Sequence, residues 1–389
     1  MRSTGTYVTS TTLGESVQAF VPYRLPPTEP ALAPEAWFER NRKAELALAR
    51  LSGVSGLVPS VEWLLYSAVR KEALLTSQIE GTQATLTDLF DQEAGLAISN
   101  TDDVAEVTNY LRAFRLVRDN LRAQGGLPIS VRLLCEAHRL LLDGARGANK
   151  QPGELRRSQN WIGGTRPGNA AFVPPPPGRV PGLLSELEQF IHKKQLKAAP
   201  PLPPLVRVAL VHVQFETIHP FLDGNGRIGR LLIAALMEHW GLLPEPLMYL
   251  SGYLKQHQAE YYRRLLAVRS DGKNGGDWEG WVAFFLEGVE TAAIDAERGI
   301  VAIASLVAAD RRRLLASPKA GAVSLRLFEM LPLMPRFTIE QVRQKLSTSF
   351  PTATAAVKLL EELEIVHELT GQKKNRSFSY QAYIELLSR

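Results

Sequence analysis

Apolar positions recur every three or four residues through most of the chain, the period of helices that bury one face. The pattern predicts helices over Glu35 to Leu51 and from Ser60, a plausible N-cap, to Ile79. Further helices are predicted over residues 102–122 and 129–142, over Pro204 to Ile218 and Leu231 to Trp240, and from about Trp281 to Leu315. Three stretches break the period. Residues 1–34 are Thr/Ser-rich and then Pro-rich (L-P-P-T-E-P-A-L-A-P), which predicts an extended arm that wraps the domain or is disordered. Between Gly153 and Pro177, the runs Asn160-Trp161-Ile162 and Ala171-Phe172-Val173 flank a Gly/Pro/Asn turn and predict a small hairpin. Pro174 to Pro177 then enforce an extended exit. Beyond residue 315, three helical patterns and a basic hairpin follow in the order of a winged helix. Thr352 to Leu363 takes the recognition-helix position there, with Lys373, Lys374 and Arg376 on the wing. The expected organisation is an arm (1–34), N-terminal helices (35–100), a core (101–300), and a linker helix with a winged helix (301–389).

Composition changes this picture little. A chain of 389 residues, 45% apolar, can bury a core of two or three domains. No apolar run approaches the length needed to cross a bilayer, so no membrane is expected as a partner. The one cysteine, Cys135, excludes an internal disulfide framework and lies in a helical pattern as a core residue. No charged segment followed by an apolar one opens the sequence, and with the single cysteine this predicts a cytoplasmic protein. The charge is uneven: residues 310–389 hold thirteen Lys/Arg against eight Asp/Glu, which equals the +5 of the whole chain. The recognition-helix segment, however, runs into Glu361, Glu362 and Glu364, which weighs against DNA as its partner. Asp271 to Asp277 reads as a loop, and His138 is expected only to pack.

Chemistry concentrates between two buried helices, in T-I-H-P-F-L-D-G-N-G-R-I-G-R from Thr217 to Arg230. Asp223-Gly224-Asn225-Gly226 is a turn and cap signal, so the second helix should begin near Asn225. A helix start offers free N–H groups and the positive end of a dipole, and glycines let those amides approach an anion. Arg227 and Arg230, three apart, share one side of the first turn and can grip phosphate oxygens. His219 is placed to take a proton from an incoming hydroxyl, and Asp223 is a hard ligand suited to Mg²⁺ held against phosphates. Tyr253, Tyr261 and Tyr262 are candidates for the wall of a base pocket. Upstream, T-S-Q-I-E-G ends a predicted helix: Thr76 and Glu80 share a face and Gly81 is a natural stop. Glu80 at the negative end of that helix calls for a cationic partner.

The string His219 to Arg230 resembles the complete signature of the Fic (filamentation induced by cAMP) family, and Thr76, Glu80 and Gly81 match the inhibitory motif of one class of it. The resemblance implies an all-α Fic core with a β-hairpin flap, an N-terminal helical extension and a C-terminal winged-helix unit. It implies transfer of AMP from ATP to Ser, Thr or Tyr hydroxyls of proteins, including itself. ATP would lie over Gly224, Asn225, Gly226, Arg227, Ile228, Gly229 and Arg230, with Asn225 to Arg227 as anion hole. Asp223 would hold Mg²⁺ and His219 would act as base. The resemblance further implies that a protein substrate aligns with the flap by strand addition, and that Glu80 pairs with Arg230, the arginine that would otherwise hold the γ-phosphate. A homodimer is compatible with it. Removal of AMP, transfer of another phosphate-containing group, or ATP sensing by a DNA-binding regulator remain alternatives.

Overall fold

The computed structural model describes residues 2–192, 201–269, 276–372 and 374–388. Most of Asp271 to Asp277, and Lys373 of the expected wing, lie outside them. The N-terminal arm is a folded hairpin: β1 (Gly5–Thr12) and β2 (Glu15–Pro22) pair antiparallel in full register, Thr12 opposite Glu15. Leu13 and Gly14 form the turn, both at positive φ (49° and 78°), the backbone of a two-residue turn that suits strand twist. The Thr, Val and Tyr of β1 favour a pleated strand, and a Thr/Ser-rich composition conceals that preference.

The helices follow in order: α1 (Pro34–Val54), α2 (Val61–Ile79), α3 (Leu86–Glu93), α4 (Thr101–Arg122) and α5 (Val131–Leu141). Next come α6 (Val180–His192), α7 (Pro204–Ile218), α8 (Asn225–His239), α9 (Leu250–Gln256) and α10 (Gln258–Val268). α3, α6, α9 and α10 are among the elements beyond the sequence reading. α11 (Trp278–Ala316) runs unbroken for 39 residues, so the expected boundary at residue 300 falls inside one helix. The C-terminal unit comprises α12 (Ala322–Met330), β3 (Arg336–Thr338), α13 (Ile339–Leu346), α14 (Phe350–Glu362), β4 (His367–Glu368), β5 (Ser377–Ser379) and α15 (Gln381–Ser388), with sheet order β3-β5-β4.

One core unites the helices, and α7 is its axis, every residue from Val208 to Ile218 being buried; the N-terminal hairpin packs in a small separate cluster. This helix is buried all round because α6, α8, α10 and α11 pack on its sides. The C-terminal unit rests on α2 and α3, with Arg336 paired to Asp91 at 2.8 Å and Gln341 Nε2 donating to the Glu93 carbonyl at 3.3 Å. Tyr380 Oη donates to Asp310 of α11 at 2.6 Å. Arg376, expected on the wing, is paired with Glu361 at 3.0 Å. Among the described residues no helix is long and apolar enough to cross a membrane.

Candidate active site

The site forms where α7 ends and α8 begins. α7 stops at His219, whose left-handed backbone (φ 50°, ψ 63°) turns the chain out of the helix, a conformation histidine tolerates better than most residues. α8 starts at Asn225 behind Gly224, which sits at φ 74°. Asn225 clamps the loop between them: its Oδ1 accepts from Phe221 N and its Nδ2 donates to Phe221 O, both at 2.9 Å. The Asn225 side chain is therefore committed to the loop, and what it offers a ligand is its backbone. Among the described residues, the N–H groups of Asn225, Gly226 and Arg227 have no hydrogen-bond partner, the first helical bond being Ile228 N to Gly224 O. Three open amides at a helix start form an anion cradle.

The two arginines differ in how they are held. Arg227 is buried, with Nη1 3.4 Å from Glu106 and Nη2 3.8 Å from Asp223, and its Nε has no partner among the described residues. A buried guanidinium with an unused donor is fit to receive a phosphate oxygen. Arg230 is almost fully engaged. Its Nε donates to Thr76 Oγ1 at 2.6 Å, and its Nη2 donates to the Thr76 carbonyl at 3.0 Å and to Glu80 Oε1 at 2.6 Å. Burial opposes the Arg230 charge, but the Glu80 carboxylate outweighs it and raises the pKa. Glu80 caps α2 and Gly81 follows at φ 99°, ending the helix where the carboxylate can reach across. Gly226 makes that reach possible: a Cβ there would lie 2.4 Å from Glu80 Oε1 and 2.9 Å from Arg230 Nη1.

His219 is buried and its pKa is lowered to about 3, first by burial and then by the charges of Arg269 and Arg156. The imidazole is therefore neutral at physiological pH. Arg156 fixes the loop beneath it, donating Nε to the His219 carbonyl at 2.8 Å and Nη2 to the Ile218 carbonyl at 3.3 Å. His138 is more than packing. Its Nδ1 accepts from Gly153 N at 2.9 Å, so Nε2 carries the proton and donates to the Asp223 carbonyl at 3.0 Å. Its ring also stacks on Phe221 at 3.9 Å. Glu106 is a third positioning residue, accepting from Thr82 Oγ1 (3.0 Å) and Arg146 Nε (2.6 Å) besides Arg227. Arg156, His138 and Glu106 carry no local sequence signal, because their partners lie about 60 to 120 residues away.

Asp223 keeps its carboxylate partly exposed, with Oδ1 accepting from Gly224 N at 2.6 Å. Among the described residues no group of three or more acidic, His or Cys side chains could hold a metal by itself. One exposed carboxylate beside an anion cradle suits magnesium, which completes its shell from phosphate oxygens and water.

The tyrosines named for a base pocket divide by burial. Tyr253 packs against His257 and Phe284, with ring centroids at 4.2 and 5.4 Å, and is a core residue. Tyr261 is 1% exposed, its hydroxyl bonded to His212 Nε2 at 2.8 Å, so it supports α8 from below and cannot face a ligand. Tyr262 alone of the three keeps an exposed ring, on the Glu80 side of the site.

The hairpin after Gly153 is reduced to one bridge, Ile162 to Phe172, closed by N–H···O bonds of 2.8 and 3.1 Å. The Phe172 N–H is consumed inside this flap. On the far side, Phe20 N of β2 donates to Val173 O at 2.9 Å. Glu15 also pairs with Arg166 and accepts from Gly168 N at 3.1 Å, so β2 runs alongside residues 168–173 in parallel.

Residues 38–119 match the family model described as Fic/DOC family N-terminal, and residues 128–237 match the Fic/DOC family model. The chain carries a Fic domain. Over 218 residues it is 29% identical to Protein adenylyltransferase Fic of Drosophila grimshawi, covering 54% of this chain and 39% of that protein. Over 165 residues it is 33% identical to the protein of the same name from Aedes aegypti, covering 42% and 28%. The chain thus spans about two fifths or less of these curated relatives. A Fic family protein from Desulfovibrio desulfuricans shares the fold with TM-score 0.56 and 20% identity, over 90% of this chain and 97% of that one. A Fic domain containing signaling protein from Bacteroides thetaiotaomicron does so with TM-score 0.52 and 18% identity, over 68% and 97%.

Burial around the Fic domain site sets a pH dependence of stability. His219 and His212 have pKa values lowered to about 3, and His138 to about 4, each chiefly by burial. Their contribution is present above the ordinary histidine value near 6.5 and is lost as pH falls below it. Glu72 and Glu216 oppose them, since burial raises both to about 7 from 4.5, and their stabilisation grows as pH falls through that window. Thermal midpoints should therefore fall gently from pH 6.5 to 4.5. They should fall steeply below 4.5, where the carboxyls no longer compensate. A midpoint that falls as steeply above pH 4.5 as below it would contradict this balance.

Proposed function

We propose that this chain transfers AMP from ATP to hydroxyl groups of proteins, and that the end of α2 holds it in an inhibited resting state. The observation that carries the first part is the anion cradle of α8, with its unpartnered Arg227 Nε, beside a buried neutral His219. The relatives from Drosophila grimshawi and Aedes aegypti are named protein adenylyltransferases, which supports this reading. In this reading the ATP phosphates lie across the amides of Asn225 to Arg227 and against both arginines. The hydroxyl attacks the α-phosphate in line, its proton passes to His219, and pyrophosphate leaves with the electron pair of the broken bond. Positioning and fixed charge do most of the work, because the cradle is already aligned by Asn225, Arg156 and His138. The target strand would align with the 161–163 side of the flap, since β2 takes the Val173 side.

Asp223 would hold magnesium, which when bound neutralises phosphate charge. Asp223→Ala is expected to lower transfer on the order of 10²-fold and to abolish its response to Mg²⁺, as loss of a several kcal/mol charge contribution implies. The check is labelled-AMP transfer titrated with Mg²⁺; unchanged activity in excess chelator would exclude this role. The overall reading is tested by intact mass after incubation with ATP and Mg²⁺, for an AMP adduct that depends on His219.

A further inference from the structure

The flap has little of its own to fix it. Its bridge from Ile162 to Phe172 is two hydrogen bonds, and an isolated pair of strands is marginal in water. The place of the flap relative to His219 is therefore set from outside, and two arginines reach both. Arg269 caps α10 and donates Nε to Thr217 Oγ1 at 3.2 Å and Nη2 to the Glu216 carbonyl at 3.1 Å, two and three residues before His219. The face of its guanidinium lies 3.8 Å from the centroid of the Phe172 ring. Arg156 works from the base of the flap. Besides the Ile218 and His219 carbonyls, it donates to the carbonyls of Ser158 and Pro175, which enter and leave the flap. The last turn of α7 thus presents its free carbonyls to two cations, the arrangement that the negative end of a helix favours. Burial opposes both charges, and among the described residues neither arginine forms an ion pair. What each guanidinium supplies is a planar fork able to hold two elements at once.

We propose that Arg269 is a positioning residue for the transfer: it ties the Phe172 side of the flap to the last turn of α7, so that an acceptor strand and His219 keep one fixed separation. This rests on the AMP-transfer reading above. The path is short. Phe172 exchanges both bridge hydrogen bonds with Ile162, and residues 161–163 are the side on which the acceptor strand would align. With its face held on Arg269, the Phe172 ring cannot swing without carrying Ile162 along. A misplacement of about 1 Å between an acceptor hydroxyl and its base costs on the order of 10²-fold in rate. Lysine at this position would keep the charge but lose the fork, whose edge donates to α7 while its face meets the ring.

The test uses the full chain carrying Glu80→Gly, with labelled ATP and Mg²⁺, and reads the rate of AMP transfer to the chain at one protein concentration. Adding Arg269→Lys or Phe172→Leu should each slow labelling roughly ten- to a hundredfold. The two changes together should be no slower than the slower of them, because both open the same contact. The loss should fall on the rate at saturating ATP. The ATP concentration for half-maximal rate and the rise in melting temperature with ATP should stay as in the parent, since the phosphate contacts lie on α8. A general loss of fold would move both. Losses that multiply in the double variant, a weakened ATP response that accounts for the slower labelling, or labelling undiminished in Arg269→Lys would each overturn the assignment and leave AMP transfer standing. Absence of any His219-dependent adduct with the Glu80→Gly parent, on this chain or on added protein, would overturn both.

Discussion

His219→Ala is expected to lower AMP transfer by about 10²–10⁴-fold, the usual worth of a positioned base, while leaving ATP affinity nearly unchanged. The two effects separate because the phosphate contacts are elsewhere: in the amides at the start of α8 and in Arg227 and Arg230. A backbone argument supplies the control. His219 occupies the left-handed region, where alanine is less at ease than asparagine. His219→Asn should therefore be as inactive as His219→Ala but melt at a higher temperature. Transfer by either variant at a rate near wild type, measured with labelled ATP at saturation, would remove His219 from the mechanism.

Glu80→Gly should act in the opposite direction, raising self-modification roughly ten- to a hundredfold, the equivalent of ~1.4–3 kcal/mol at a factor of ten per ~1.4. Glu80 holds Arg230 at 2.6 Å and occupies the notch left by Gly226, where a γ-phosphate would have to approach. Its removal frees both the arginine and the space. The same change should lower the melting temperature, because the Arg230 side chain is 2% exposed and would lose its compensating carboxylate. Activity gained together with stability lost distinguishes release of an inhibitor from a general improvement of fold. Arg230→Ala in the Glu80→Gly background should lose most of the gain. If Glu80→Gly transfers AMP no faster than wild type at matched ATP and Mg²⁺, the inhibitory reading is lost.

Local chemistry made much of this site legible in the sequence. A cap signal, two glycines and arginines three apart define the start of α8 within fourteen consecutive residues, and the structure begins that helix at Asn225 as expected. The α2 end was legible for a related reason: an acid at the negative pole of a helix needs a cation, and Arg230 is that cation. What the sequence withheld depends on distant pairing. Glu106, Arg156 and His138 are unremarkable in their own helices or loops and acquire roles only when the fold brings Arg227, His219 and Asp223 to them. The tyrosines illustrate the converse. Tyr261 was a candidate because aromatics suit a base pocket, but α11 covers it with Trp281 at 6.1 Å. The N-terminal hairpin was hidden because threonine and serine signal both coil and strand, and the turn that decides between them uses Leu13, an uncommon choice at positive φ.

The contact between α2 and α8 is made within one chain, across 150 residues of sequence. Glu80 and the Thr76 carbonyl bring negative charge to the place where an incoming phosphate would put its own. An occupant tied to its site in this way has a local concentration set by the fold, and dilution of the protein does not lower it. A nucleotide arriving from solution has no such protection, and its share of the arginine follows its supply. Under the inhibitory reading proposed above, the balance between resting and working states would follow ATP level and the strength of one helix end.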